Sequence, residues 1–234
     1  MIAGAIRGLT ICAALLLAPS GAVAEPIAAR YAVQALGVRV GELVLTGSLE
    51  DRHYTVSSQF RTTGLAGALA RVRFVLQASG TRAGARFFPT AYREEMNTGQ
   101  RESRAQLSYD GGIARAALPG APAVADSIQR GAVDPLTAIL MVLRDREDDG
   151  LCDLRQRVFD GERLSEIALT GGEERAGEIV CTGLYRRLAG YPPEELRRRR
   201  DFALQIHYAA EAGAMRARRI RVETVYGPAL LLRR

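Results

Sequence analysis

The sequence contains no lysine, so arginine supplies all 32 of its basic side chains. Such uniformity is typical of codon bias, and the formal net charge of +6 is therefore not taken as a sign of nucleic-acid binding. Glycine-rich phosphate loops, Gly-x-Ser-x-Gly turns and His-Glu-x-x-His helices are also absent. The enzyme classes that these motifs identify have no support in the sequence, and no activity follows from a motif.

Long apolar runs are scarce as well. The first 24 residues have the pattern of a secretory signal peptide, with Arg7 in the positive region, an apolar segment over Leu9–Leu17, and the small residues Ala22-Val23-Ala24 before the predicted cleavage site. The apolar segment is too short for a membrane anchor, and no later segment is long enough for a transmembrane span. We expect cleavage after Ala24 and export to the periplasm.

Cleavage would leave 210 of the 234 residues, a length that suits one β-rich domain over 25–234. Loss of Arg7 would change the formal net charge from +6 to +5. Polyanions that an exported protein meets include lipid head groups and lipopolysaccharide, and nucleic acid is not expected as a partner.

Cysteine is rare, and two of the three cysteines, Cys152 and Cys181, follow the predicted cleavage site. An even pair in an exported chain is typical of a structural disulfide. A metal or redox pair is the alternative, but the Cys-x-x-Cys spacing that would favour it is missing.

One segment, 134–144, has the pattern of a buried helix. Asp134 is a favourable N-cap, and Pro135 suits the first helical position. Apolar residues then occupy nearly every side of the helix, which is typical of a helix covered on more than one face. They are Leu136, Ala138, Ile139, Leu140, Met141, Val142 and Leu143.

Most of the remaining chain alternates apolar and polar residues with the period of two that indicates β-strands. The predicted strands are 31–35, 38–40, 43–45, 54–60, 72–78, 92–96, 105–109, 154–159, 163–169, 179–185, 202–208 and, as the last one before Pro228, 220–226. A helical turn is predicted within 64–71. The segments 118–126 and the charged run after Pro192 are interpreted as loops.

These patterns predict a mainly β fold: a strongly curved antiparallel sheet or half-open barrel with one central apolar α-helix, about 134–144, against its concave face. Closing or covering such a sheet protects its edge strands.

Several short motifs resemble the domain-of-unknown-function family 3108 of Gram-negative envelope proteins. They are Tyr31-x-Val33 with Gly37 and Gly41, Val133-Asp134-Pro135-Leu136-Thr137-Ala138, Val158-Phe159-Asp160-Gly161 with Arg163, and Cys181 followed by Tyr185, Arg187, Ala189, Gly190 and Tyr191. The resemblance implies an exported β-rich protein, and it transfers no activity and no catalytic residues.

The candidates for a metal site are weak, and we predict neither a metal nor a cofactor. His53 and His207 are the only histidines, and both lie in strand-like segments. Part of a calcium loop is matched by Asp145, Glu147, Asp149, Gly150 and Asp153. Gln156 stands where the bidentate glutamate should be, so an acidic loop after the helix is the simpler interpretation.

The densest charge run is Arg197-Arg198-Arg199-Arg200, beside Glu194, Glu195 and Asp201. A solvated loop is the simple interpretation. The alternative is an anion-binding edge, because guanidinium groups suit phosphate and carboxylate.

The sequence favours a non-catalytic envelope protein that binds an apolar or amphipathic ligand, such as a lipid, or an envelope protein partner. Leu140, Met141 and Leu143 are the predicted ligand-binding residues, in a groove between helix and sheet. An envelope hydrolase built from scattered polar residues and a structural or assembly protein without a ligand remain open.

Overall fold

The computed structural model of the protein describes residues 24–69, 71–99, 102–116, 124–147 and 150–234. The predicted signal peptide, except Ala24, lies outside the described residues. So does most of the predicted loop 118–126.

The described residues form thirteen strands and four short helices. The strands are β1 (Glu25–Ala35), β2 (Val38–Leu49), β3 (His53–Thr62), β4 (Arg73–Ala83), β5 (Arg86–Asn97), β6 (Glu102–Asp110), β7 (Ile113–Ala116), β8 (Arg155–Phe159), β9 (Leu164–Arg175), β10 (Glu178–Ala189), β11 (Asp201–Glu211), β12 (Ala214–Thr224) and β13 (Gly227–Arg233). The helices are α1 (Gly64–Leu69), α2 (Asp126–Gln129), α3 (Pro135–Leu143) and α4 (Pro193–Arg198). The prediction of a mainly β fold is confirmed.

All thirteen strands belong to one antiparallel sheet, in the order β7-β6-β5-β4-β3-β2-β1-β13-β12-β11-β10-β9-β8. Strands that are consecutive in the chain are therefore neighbours in the sheet, except β7 and β8, which are its two edges. Strand β1 also pairs with β13, for example Tyr31 with Arg233 and Val33 with Leu231. This pairing joins the two halves of the chain, and the sheet curls into a nearly closed barrel.

The two edge strands, β7 and β8, are connected in sequence by the segment that carries α2 and α3. Residues of this segment also link the edges in space. Gly131 N donates to Gly112 O beside β7 (3.1 Å). Val133 N donates to Arg157 O (3.0 Å), and Phe159 N donates to Val133 O (2.8 Å), so the segment adds main-chain bonds to β8. The backbone groups of this edge are thus partly satisfied.

Helix α3 lies inside the curled sheet, where it contacts β3, β4, β5, β8 and β12. Seven of its nine residues are buried, and Leu136 and Leu140 are fully so. The helix begins as predicted, because Asp134 caps it by accepting from Thr137 N at 2.8 Å. Each large apolar side chain buried here contributes roughly 1.5–3 kcal/mol to stability.

Two predictions need correction. The helix predicted at 134–144 is present, but it is one of four helices in the described chain rather than a single one. Helices α2 and α4 have four and six residues, too few to show a helical period. The strand predicted at 220–226 corresponds to β12, but it is not the last strand. A further strand, β13, follows it and has Pro228 as its second residue, a position near a strand start that proline tolerates.

In the part of the chain that the structure describes, no helix combines the length and the apolar character needed to span a bilayer.

Candidate functional site: an apolar cavity beside the central helix

An apolar cavity of about 380 Å³ lies between α3 and the inner face of the first five strands and β13. Eight of its ten lining residues are apolar, and the other two are Ser58 and Glu94. The apolar residues are Val33, Leu43, Phe60, Phe74, Leu76, Met96, Ile139 and Leu231. A mostly apolar wall with few polar groups is typical of a ligand site.

The alternation of the strands explains why these side chains share one face. Tyr31 and Val33 are two residues apart on β1 and point to the same side, as do Leu45 and Leu43 on β2. The deeper member of each pair is fully buried, whereas Val33 and Leu43 are only half-buried. The cavity therefore begins where the inward-facing side chains of β1 and β2 are no longer fully covered by other side chains.

The polar groups of the cavity are few and defined. Glu94 accepts a hydrogen bond from the Tyr92 hydroxyl at 2.5 Å, which fixes one carboxylate oxygen. Ser58 is 1% exposed, and among the described residues its Oγ has no hydrogen-bond partner. A buried hydroxyl without a partner is unfavourable, so a ligand with one polar atom could satisfy it.

A buried polar network lies deeper, at the start of α3. Asp134 accepts from Thr137 Oγ1 at 2.6 Å as well as from Thr137 N. Because the threonine hydrogen is used there, the Tyr54 hydroxyl donates to Thr137 Oγ1 at 2.8 Å. Burial raises the pKa of Asp134 to about 6, although the bonds from Thr137 oppose the shift. The network holds the helix against β3.

The predicted ligand-binding residues do not share one environment. Leu140 is fully buried, and Leu143 is 4% exposed, so both lie in the core. Met141 lines a different cleft, together with Arg144. The helix residue that lines the apolar cavity is Ile139, which is not among the ligand-binding residues predicted from the sequence. Because the helix is apolar on nearly all sides, the sequence gives no signal that separates Ile139 from its neighbours.

The four arginines of the charge run do not share one environment. Arg197 and Arg198 end α4, and they and Arg200 are exposed. Arg199 stacks on the Phe202 ring at 4.8 Å and donates to the carbonyls of Asp201 and Thr224. Its guanidinium therefore already has structural partners.

The calcium-loop residues are only partly described, because Asp149 lies outside the described residues. Asp145 is held by two arginines: its Oδ1 accepts from Arg233 at 2.6 Å, and its Oδ2 accepts from Arg216 at 2.9 Å. A carboxylate so neutralised is a poor calcium ligand. The two histidines also lie apart: His53 is exposed on β3, whereas His207 on β11 contacts Glu178 at 2.9 Å.

The two cysteines form the predicted disulfide, with their Cα atoms 5.1 Å apart. The bond joins the segment before β8 to β10, across β9. Gly172 on β9 packs against it, since a Cβ atom there would collide with Cys152 Sγ.

A hydroxyl cluster gathers several residues of the family-like motifs. Ser165 Oγ lies 2.7 Å from the Tyr185 hydroxyl and 2.6 Å from the Tyr191 hydroxyl. Arg187 stacks between the rings of Tyr191 and Phe202, at 4.9 and 5.0 Å. Burial raises the pKa of Tyr191 well above its usual range, so its hydroxyl stays neutral. The cluster links β9, β10 and the segment before α4.

Other motif residues also have structural roles. Gly190 adopts a φ of +80°, and a Cβ atom there would meet the Glu162 carbonyl. Asp160 accepts from the backbone N–H groups of Glu162 and Arg163, at 2.9 and 2.7 Å, which fixes the turn between β8 and β9. These motif residues thus help to fix the local fold.

No curated protein matches the sequence. A similar solved structure is the beta-barrel-like protein of domain of unknown function DUF1849 from Brucella abortus, with 9% sequence identity and a TM-score of 0.49 over 89% of this chain and 95% of that chain. The model of the family described as "Protein of unknown function (DUF3108)" matches residues 30–187, which is more than half of the chain. This protein therefore belongs to the DUF3108 family.

Proposed function

We propose that this protein is an exported, non-catalytic envelope protein that binds an apolar or amphipathic ligand, with the apolar part of the ligand in the cavity beside Ile139. An envelope partner that inserts an apolar side chain would use the same surface. The observation that carries the proposal is the cavity itself, with its eight apolar lining residues.

The exposure of the lining supports this proposal. All eight apolar residues are half-buried, so water reaches part of a continuous apolar surface. Each 100 Å² of apolar surface left in water costs about 2.5 kcal/mol relative to burial. A ligand that covers this surface would recover part of that free energy, whereas a purely structural protein gains nothing from leaving it open.

The disulfide supports the proposed compartment. Disulfides persist in oxidising compartments such as the periplasm and are rare in the cytosol. Together with the signal-peptide pattern of the first 24 residues, the Cys152–Cys181 bond favours export.

The proposal is tested with a neutral apolar dye, N-phenylnaphthylamine, whose fluorescence rises when it leaves water. The wild type should take up the dye. Ile139→Trp should reduce uptake because the larger side chain occupies part of the cavity, and Leu76→Trp should do the same from the opposite wall. The matched control is Ile128→Trp, because Ile128 is 42% exposed on α2 and does not line the cavity.

The chain has no tryptophan, so the introduced indole reports its own surroundings. Its emission should be blue-shifted in Ile139→Trp relative to Ile128→Trp, which shows that the cavity is filled in a folded protein. If the wild type takes up no dye, or if all three variants bind it equally, the cavity is not a ligand site. The structural or assembly function would then be the better conclusion.

A further inference from the structure

A second, larger cleft lies toward the opposite ends of the same strands. Its volume is about 970 Å³, and Met141 and Arg144 of the α3 end face it, whereas Ile139 faces the apolar cavity. Strand β4 shows the relation clearly, since Leu76 lines the apolar cavity and Arg82 lines the second cleft. The two sites are therefore separate, and a ligand of the second cleft is independent of the ligand proposed for the apolar cavity.

Five arginines line this second cleft, and three of them form what we call the arginine cluster: Arg82, Arg144 and Arg146. In each, the Nε–H group is buried and has no hydrogen-bond acceptor among the described residues. Arg146 uses its terminal nitrogen on Leu151 O and the Tyr208 hydroxyl, at 2.8 and 3.0 Å. The side chains of Arg82 and Arg144 make no hydrogen bond or ion pair within the part of the chain that the structure describes.

The charges of the cluster are close enough to repel one another. Burial lowers the pKa of Arg144, and the positive charges of Arg146 and Arg82 lower it further. Glu25 opposes this shift, but it is exposed at the start of β1. Asp145, the nearest acidic residue in sequence, is already paired with Arg216 and Arg233. The remaining described acidic residues of the cleft, Glu147 and Asp153, are exposed.

Aromatic rings hold part of the cluster in place. Arg144 lies over the Phe87 ring at 5.8 Å, and Arg146 lies over the Tyr208 ring at 5.1 Å. At the rim, Arg86 lies over Phe88, which is 46% exposed. Guanidinium groups stacked on rings are restricted in motion, so they lose little entropy when they bind an anion.

We propose that the arginine cluster binds the phosphate group of a phosphomonoester. A phosphomonoester carries a charge of about −1.5 to −2 at pH 7 and three acceptor oxygens, so it matches several guanidinium groups better than one carboxylate does. The exposed Phe88 ring at the rim suits an organic group attached to the phosphate. Such a ligand exists as a soluble metabolite and as a lipid head group, and the two sources share this chemistry.

The test uses the full exported protein in phosphate-free buffer. Inorganic phosphate, phenyl phosphate, and vesicles of phosphatidylcholine with or without phosphatidic acid are titrated separately. The double variant Arg82→Gln/Arg144→Gln should weaken phosphate binding by about tenfold or more, since two charge-assisted interactions are lost. The control is Arg39→Gln/Arg219→Gln, which removes the same charge from two exposed arginines outside the cleft.

Thermal unfolding separates a binding role from a structural one. Without an anion, Arg82→Gln/Arg144→Gln should unfold at the same temperature as the wild type or above it, because mutual repulsion is relieved. Added phosphate should raise the unfolding temperature of the wild type and of the control, but not of the cluster variant.

The outcomes also distinguish the two sources of the phosphate. Tight binding of phenyl phosphate without a vesicle preference assigns the site to a soluble phosphomonoester. Binding to phosphatidic acid vesicles that the cluster variant loses assigns it to a lipid head group. The proposal is overturned if the wild type binds none of the three probes, or if the control loses binding as much as the cluster variant does.

Discussion

Replacing Asp134 by asparagine tests the polar network at the start of α3. The carboxylate is fully buried, and burial raises its pKa from 3.8 to about 6. A pKa difference of this size between the folded and unfolded chain corresponds to roughly 3 kcal/mol in the free energy of unfolding. Asparagine is a comparable N-cap and can still accept from Thr137 N.

The sign of the effect follows from the direction of the shift. Because the pKa is higher in the folded protein, the folded state binds the proton more tightly between pH 3.8 and 6. The contribution of Asp134 to stability is therefore greatest below pH 3.8 and is lost as the pH rises through 6. At pH 7 the wild type has lost it, and Asp134→Asn should be as stable as the wild type or more stable.

The assay is urea unfolding of both proteins at pH 7 and at pH 4.5, since other titrating groups cancel in the difference. From pH 7 to pH 4.5, the free energy of unfolding of the wild type should increase by about 2 kcal/mol relative to that of Asp134→Asn. The amide also needs a rearranged network, in which its N–H donates to Thr137 Oγ1 and the threonine hydroxyl turns to Tyr54. A stability difference that does not change with pH would refute the argument, because the carboxylate would then not titrate as a buried group.

Three further predictions concern the core, the disulfide and the signal peptide. Leu140→Ala should cost about 2–5 kcal/mol in urea unfolding, and Met141→Ala should cost less, because Met141 borders the second cleft. Equal losses would show that Met141 is ordinary core. Replacing Cys152 and Cys181 by serine should lower stability by roughly 3–4 kcal/mol, as expected for a sequence separation of 29 residues, and free thiols in the native protein would contradict the bond. N-terminal sequencing of exported protein should show cleavage after Ala24, and an intact Met1 would exclude it.

The sequence alone determines the local features of this protein. Alternation of apolar and polar residues follows from the geometry of a strand, so the strands around Tyr31 and Tyr54 were predictable without knowledge of their partners. The cap at Asp134 and the proline after it mark the start of α3 in the same local way. Such signals depend only on residues that are close together in the sequence. Short elements such as α2 carry too few residues to give one.

Only the tertiary structure decides which of these faces meet. The pairing of β1 with β13 joins residues about 200 positions apart, and no local pattern encodes it. The same closure separates Ile139 from Leu140, since one borders a cavity and the other fills the core. It also brings Arg82 and Arg144 into one cleft. The burial of these two arginines and the repulsion between their charges arise from that convergence. Sites of this kind therefore depend on how distant segments pack together, which local sequence patterns do not show.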